Sequence, residues 1–303
     1  MNLLVVGSVA LDSVQTPHGQ VVDELGGSAT YFSLAASRAS RVGVVAVIGS
    51  DFPPEHRSLL LKHKVDLDGL HSTEGKTFRW SGVYGADPND RTTLDTQLNV
   101  FADFRPELPL RYRDVSHLFL GNIHPRLQAE VLDQVRGPRI VACDTMNFWI
   151  EGERPALEQV LARIDLLMVN DEEVRMLSGE SNVIKGARAI LRRGPRAIVV
   201  KKGEHGAMLV SGDGIFAAPA LPVERVVDPT GAGDSFAGAF MAQLTQESTI
   251  SDAAMRRAVV QGTVAASFCV ERFGVAGLCE ISEKALAERR RSYRELTRVD
   301  YTS

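Results

Sequence analysis

Residues 226–240 read VVDPTGAGDSFAGAF. Pro229 biases Asp228 toward extended backbone and fixes its own φ for a turn, so the chain enters this stretch from a strand-like segment. Gly231, Ala232 and Gly233 follow, bare enough for a ligand to approach the main chain. Successive N–H groups at a helix start, with the positive end of the helix dipole behind them, form an anion site that suits a phosphate. Phe236, Phe240 and Leu244 recur every four residues, and Ala237, Gly238, Ala239 and Ala242 keep the neighbouring faces small. That pattern predicts a buried helix with a rigidly held amino end. Asp234 falls in its first turn. A carboxylate beside a phosphate cradle is electrostatically ill-matched unless a metal ion, or a hydroxyl that surrenders its proton, accompanies it. On these residues alone two readings stand side by side. One is a helix start with an acidic first turn, worth roughly 0.3–1 kcal/mol; the other is a phosphoryl-transfer site.

Two rival nucleotide patterns fail. G-x-G-x-x-G breaks at Phe236, and in GLHSTEGKT five residues rather than four separate Gly69 from Gly75, with no strand-to-helix context.

Outside the stretch, short apolar runs recur at 3–7, 44–48, 117–120, 139–143, 165–169, 196–201 and 207–211, as strands buried on both faces of a parallel sheet do. Helical patterns lie between them at 28–41, 54–64, 125–135, 155–163, 171–178 and 182–193, and three more follow at 231–246, 252–271 and 282–296. This alternation predicts an α/β fold with a doubly wound, mostly parallel sheet flanked by helices. Two segments break the rhythm: about 12–23, with Pro17 and Gly19, and about 75–100, where Phe78, Trp80 and Tyr84 share strand parity. They fit a small antiparallel β flap, which cannot bury both faces alone and so covers a cleft as a lid or pairs with another subunit. The expectation is one domain over 1–303, with homodimerisation through the lid as a further hypothesis.

The 303 residues, 44% hydrophobic, suffice for one enzyme-sized α/β domain. A net charge of −4 with scattered Lys and Arg points away from nucleic acid and toward a small-molecule partner. The run Arg289–Arg291 reads as a solvated face. Cys143, Cys269 and Cys279 are an odd number with no C-x-x-C spacing, which argues against a disulfide framework and a thiolate zinc site, and the seven histidines show no catalytic grouping. With no basic n-region and no run near ~18 apolar residues, the expectation is a cytoplasmic protein with no membrane partner.

DPTGAGDSFAGAF closely resembles the carboxy-terminal signature of the PfkB, or ribokinase-like, carbohydrate kinases, usually D-T-x-G-A-G-D before a small-residue helix. The likeness extends through VVGSVALD, LGGSATYFSLAAS, NDEE and VKKGEHGAMLV, in the family's order. It implies an ATP-dependent kinase phosphorylating a hydroxyl of a sugar, with Asp234 as catalytic base and the Gly231, Ala232 and Gly233 amides as anion hole. Asn170 and Glu173 would organise Mg²⁺ and its waters, and Lys202 and Gly203 would lie near the nucleotide. Asp12, Gly26 and Gly27 would face the acceptor. Beside these roles stand plainer ones: Asp12 a turn residue, Gly26–Gly27 a helix entry, Asn170–Glu173 a helix cap.

The chain departs from the family at two positions. Pro229 replaces the commoner threonine, at a place bearing on a monovalent-cation site, such as K⁺, that Asp228 forms with carbonyls in some relatives. Tyr31 occupies the position of an asparagine that contacts the sugar. Arg79, Trp80, Tyr84 and Asn147 are further candidates for the acceptor pocket, the aromatics equally able to be lid core. The alternative acceptor is a nucleoside; the alternative class is a non-catalytic nucleotide- or sugar-binding regulator.

Overall fold

The computed structural model describes residues 2–299, and the counts below are of these residues. The strands are β1 (Leu3–Val6), β2 (Ala10–Thr16), β3 (Gly19–Gly26), β4 (Val42–Gly49), β5 (Asp66–Thr73), β6 (Arg79–Tyr84), β7 (Arg91–Gln97), β8 (His117–Leu120), β9 (Ile140–Asp144), β10 (Leu166–Asn170), β11 (Ala197–Lys201), β12 (Ala207–Ser211) and β13 (Gly214–Ala218). The helices are α1 (Ser28–Ala36), α2 (Pro54–Lys62), α3 (Pro125–Leu132), α4 (Asn147–Gly152), α5 (Arg154–Leu161), α6 (Asp171–Ser178), α7 (Val183–Leu191), α8 (Ala232–Leu244), α9 (Asp252–Cys269), α10 (Ala276–Cys279) and α11 (Glu283–Leu296).

Nine strands form one sheet in the order β13-β12-β11-β10-β9-β8-β1-β4-β5. It is parallel from β11 to β5, and β12 and β13 add an antiparallel edge. The apolar runs that predict strands become its interior members because both faces are covered. Leu3, Val5, Val44, Phe119, Met168 and Val199 bury one face against α1, α8 and α9. Leu4, Val6, Val45, Leu120, Val169 and Val200 bury the other beneath α5, α6 and α7. Successive side chains of each strand thus enter different cores. The chain reverses its direction of winding at β1, which lies between β8 and β4. In doubly wound sheets the ligand crevice opens outside the carboxyl ends of strands at such a reversal.

A second sheet, β3-β2-β6-β7, consists of two antiparallel hairpins joined by a parallel β2–β6 pair. The segments that break the helix–strand rhythm fall here. Edge strands β5 and β13 escape periodicity, since DLDGLHST and GIFAA carry no clean alternation and leave several side chains exposed.

Candidate active site

Helix α8 begins where the small-residue stretch predicts, with Gly231 as its N-cap at φ 74°. Only glycine adopts this left-handed backbone at little cost. The position is closed to side chains for a second reason: a Cβ here would fall into the ring of Tyr31, which is 1% exposed. Tyr31 therefore forms a shelf beneath the turn. Because Ser235, Phe236, Ala237, Gly238, Phe240, Met241, Ala242 and Leu244 are all buried, the helix cannot tilt away from this seat.

Four charged or polar side chains from three strand ends and α8 meet beside it. Asp144 ends β9, Asn170 ends β10 and Lys201 ends β11, with Asn170 and Lys201 paired in register. Lys201 Nζ donates to Asp144 Oδ2 at 2.8 Å. A Cβ on Gly233 would stand 3.2 Å from the same Nζ, so the ammonium lies at the edge of the anion turn. Burial works to lower the Lys201 pKa, but Asp144 and Glu173 outweigh it and hold the group charged. Asp234 is pushed up to about 7, first by burial and then by Asp144, while Lys201 acts in the opposite sense. Neither Asp144 nor Lys201 stands out in the sequence motifs. Their signal is position: a charged residue closing an otherwise apolar parallel strand points to the ligand edge.

Asn170 and Glu173 form a reciprocal capping box on α6. The Asn170 side chain accepts the Glu173 N–H at 2.7 Å, and Glu173 Oε2 accepts the Asn170 N–H at 2.8 Å. Burial first, then Asp144, raises Glu173 to about 7. Among the described residues no group of three His, Cys, Asp or Glu side chains is placed to hold an ion unaided. Mg²⁺ typically keeps several waters and takes one or two carboxylates together with substrate phosphates. Glu173, with Oε1 left outside the capping box, fits that hydrated mode.

Across the crevice, Asp12 on β2 is 6% exposed and accepts the Gly27 N–H at 3.3 Å. Gly26 has no room for a side chain, because a Cβ would overlap the Asp12 carboxylate. Burial raises Asp12 to about 7, and Asp228 and Asp234 add to the rise. Trp80 lies opposite Asp12 in the β2–β6 register, and its ring covers Gly82. Tyr84 Oη accepts from Thr230 Oγ1 at 3.3 Å, tying the small sheet to the residue before the anion turn. Asp228, 1% exposed, accepts the Thr230 and Gly274 N–H groups, each at 2.9 Å.

Of the residues expected at the acceptor, Arg79 faces away from Asp12. Arg79 pairs in register with Leu11 rather than Asp12, so alternation turns it to the opposite face. There it binds Asp51 at 2.8 Å and Asp23 at 3.3 Å. Asn147 is exposed at the start of α4, its Oδ1 accepting the Phe148 N–H. Lys202 and Gly203 sit on the turn between β11 and β12, where a Cβ at Gly203 would overlap Asn89 of the β6–β7 hairpin.

The model of the pfkB family carbohydrate kinases matches residues 2–281. The chain belongs to the PfkB carbohydrate kinase family. It is 31% identical over 250 residues to a cytidine kinase of Thermococcus kodakarensis, covering 80% of this chain and 88% of that one. A nucleoside kinase of Methanothermobacter thermautotrophicus is 26% identical over 223 residues, covering 71% and 70%. Among solved structures, a putative ribokinase II from E. coli superposes with a TM-score of 0.79 at 21% identity, covering 97% of this chain and 99% of that one. The fold and family thus agree with the motifs: this PfkB chain is a phosphotransferase acting on a hydroxyl group. Among the described residues no helix is long and apolar enough to cross a membrane.

Proposed function

We propose that the protein is an ATP-dependent, Mg²⁺-requiring kinase that phosphorylates a sugar hydroxyl, the sugar being that of a nucleoside. The observation that carries this reading is the placement of Asp234 in the first turn of α8, beside the bare Gly231–Gly233 turn and across from Asp12. Asp12 is suited to accept hydrogen bonds from vicinal hydroxyls. Asp234 takes the proton of the attacking hydroxyl, and the Gly231, Ala232 and Gly233 amides receive the charge on the transferring phosphoryl group. Asn170 and Glu173 would hold Mg²⁺ through its waters, and the ion would neutralise charge on the nucleotide phosphates. Lys202 and Gly203 border the nucleotide.

The nucleoside acceptor is supported by the cytidine and nucleoside kinases among the relatives and by Trp80, whose ring offers a face for a base. The small sheet, from about 12–23 and 75–100, serves as the lid of a single domain over 1–303. Homodimerisation through it is supported by exposed Val22 and Leu94, and light scattering at working concentration checks it. A K⁺ site beside Asp228 belongs to the same reading, tested by comparing rates in K⁺ and Na⁺. Two buried free thiols and one half-buried suit the reducing cytoplasm.

The decisive experiment offers nucleosides, pentoses, hexoses and inositols with Mg-ATP and Mg-ADP and identifies the phosphorylated product. A free sugar turned over far better than any nucleoside refutes the acceptor assignment. Asp234→Asn should lower kcat by about 10²–10⁴-fold while nucleotide binding survives. No ADP release with any acceptor, and no change in Asp234→Asn, is the signature of a binding-only regulator.

A further inference from the structure

Side-chain bonds join β6 of the small sheet to the body of the protein at both of its ends. At the start, Asp51 in the turn after β4 accepts the Thr77 N–H and the Thr77 hydroxyl, each at 2.7 Å, and binds Arg79 at 2.8 Å. At the end, Tyr84 Oη accepts from Thr230 Oγ1 at 3.3 Å. A strand of six residues is roughly 20 Å long, so β6 is a beam fixed at two distant points. The two fixings differ in kind. The first is a charged network on the face away from Asp12, and the second is one bond between neutral hydroxyls.

Tyr84 is 8% exposed, although every residue of its partner strand β7 is exposed. Its ring is seated in the crevice: Asp228 and Asp12 both act on the hydroxyl, adding to a pKa that burial first raises. Thr230, on the other side of the bond, is held from several directions. Its N–H donates to Asp228 Oδ1 at 2.9 Å, its carbonyl accepts from Cys269 Sγ at 3.4 Å, and Pro229 fixes φ just before it. Its hydroxyl is the part that answers the small sheet. Gly231 follows at φ 74°, so a rotation at Thr230 passes straight into the amides that begin α8.

We propose that Tyr84 is a positioning residue: through the Thr230 hydroxyl it ties the seated small sheet to the Gly231–Gly233 turn, which keeps its anion-receiving form while the sheet covers the crevice. The inference rests on the kinase reading above. A turn held in this way receives charge best when water is shut out, which favours transfer to the acceptor hydroxyl over transfer to water.

The test is a double-mutant cycle of Tyr84→Phe and Thr230→Val, each of which removes one hydroxyl and nearly keeps the side chain's shape. Kinetics are measured on the best acceptor of the panel, and amide hydrogen exchange of residues 230–236 with Mg²⁺ and a non-hydrolysable ATP analogue. Misplacement by 1 Å can cost about 10²-fold in rate, so for each single variant we expect kcat to fall by about 10-fold or more with acceptor KM within about threefold. The amides of the turn should exchange at least about fivefold faster, while those of β10 stay as in wild type. The double variant should match the single ones, since the second change removes nothing further. Additive losses, a kcat within about threefold of wild type, unchanged exchange in the turn, or equal quickening in β10 overturns the proposal. A rise in acceptor KM with kcat preserved overturns it as well and gives the Tyr84 hydroxyl to the acceptor instead. If no acceptor is phosphorylated, the acceptor assignment falls, and exchange in the turn across the cycle still decides the role of Tyr84.

Discussion

Asp234, the proposed base, is pushed up to about 7 because burial and the neighbouring Asp144 oppose its charge while Lys201 favours it. A base must be deprotonated to act, so kcat/KM should fall as pH drops through about 7. Lys201→Met removes the stabilising ammonium and moves that acid limb to higher pH, with a loss in kcat on the order of 10²-fold. An unmoved limb would show that Lys201 does not sense the base. The same substitution strands Asp144 in the interior and destabilises the fold by about 3–5 kcal/mol. Adding Asp144→Asn should return the melting temperature without returning turnover. Much of this pair was illegible in the sequence: Asp144 and Lys201 are 57 positions apart and meet only because β9 and β11 both end at the same edge.

At the next scale the proposed chemistry falls on two helix starts, and substitutions there separate structural from functional parts. Glu173 caps α6 through one carboxylate oxygen, which leaves the other outside the cap for the proposed Mg²⁺ waters. Glu173→Gln preserves the cap, so thermal stability should hold while the Mg²⁺ concentration needed for half-maximal rate rises. Glu173→Ala should lose about 1 kcal/mol in addition, read from denaturant unfolding. A Gln variant with unaltered Mg²⁺ dependence would reduce Glu173 to a cap. At α8, Gly231→Ala imposes left-handed strain of roughly 1–2 kcal/mol and drives a methyl group into Tyr31. It should lower both the unfolding midpoint and kcat; a fully active, equally stable variant would mean that the turn is not held in this form. The stretch DPTGAGD revealed the turn, the helix and the aspartate, whereas the Tyr31 shelf is a contact between α1 and α8 that no local pattern encodes.

Over the whole molecule, Asp12, Glu173 and Asp234 all lie near 7, each chiefly through burial. In the unfolded chain such carboxyls titrate near ~4. Between about pH 4 and 7 the folded protein keeps protons that the unfolded chain has released, so these groups make stability fall as pH rises through that window. Without ligand, the protein should melt at a higher temperature near about pH 5.5 than near about pH 8, and Asp12→Asn with Asp234→Asn should flatten the difference. A melting temperature that rises steadily with pH across this range would contradict the assignment. The crevice holds these carboxyls together at a cost to the fold, as sites arranged for function commonly do.

Periodicity and punctuation were enough for the layered α/β architecture, the buried helix α8 and the positions of Asp234 and its glycine turn, and the resemblance to the carbohydrate kinases added the hydroxyl-phosphorylating chemistry. Those features are local, set by residues within a few places of one another. The edge strands, the displacement of Arg79 to the far face, the Asp144–Lys201 pair, the Tyr31 shelf and the crossing of the β6–β7 hairpin to Gly203 came from the folded arrangement alone. Each depends on strand order, register or face, which bring residues tens to hundreds of positions apart to one crevice, and register is set by burying whole sheets rather than by any single run of sequence.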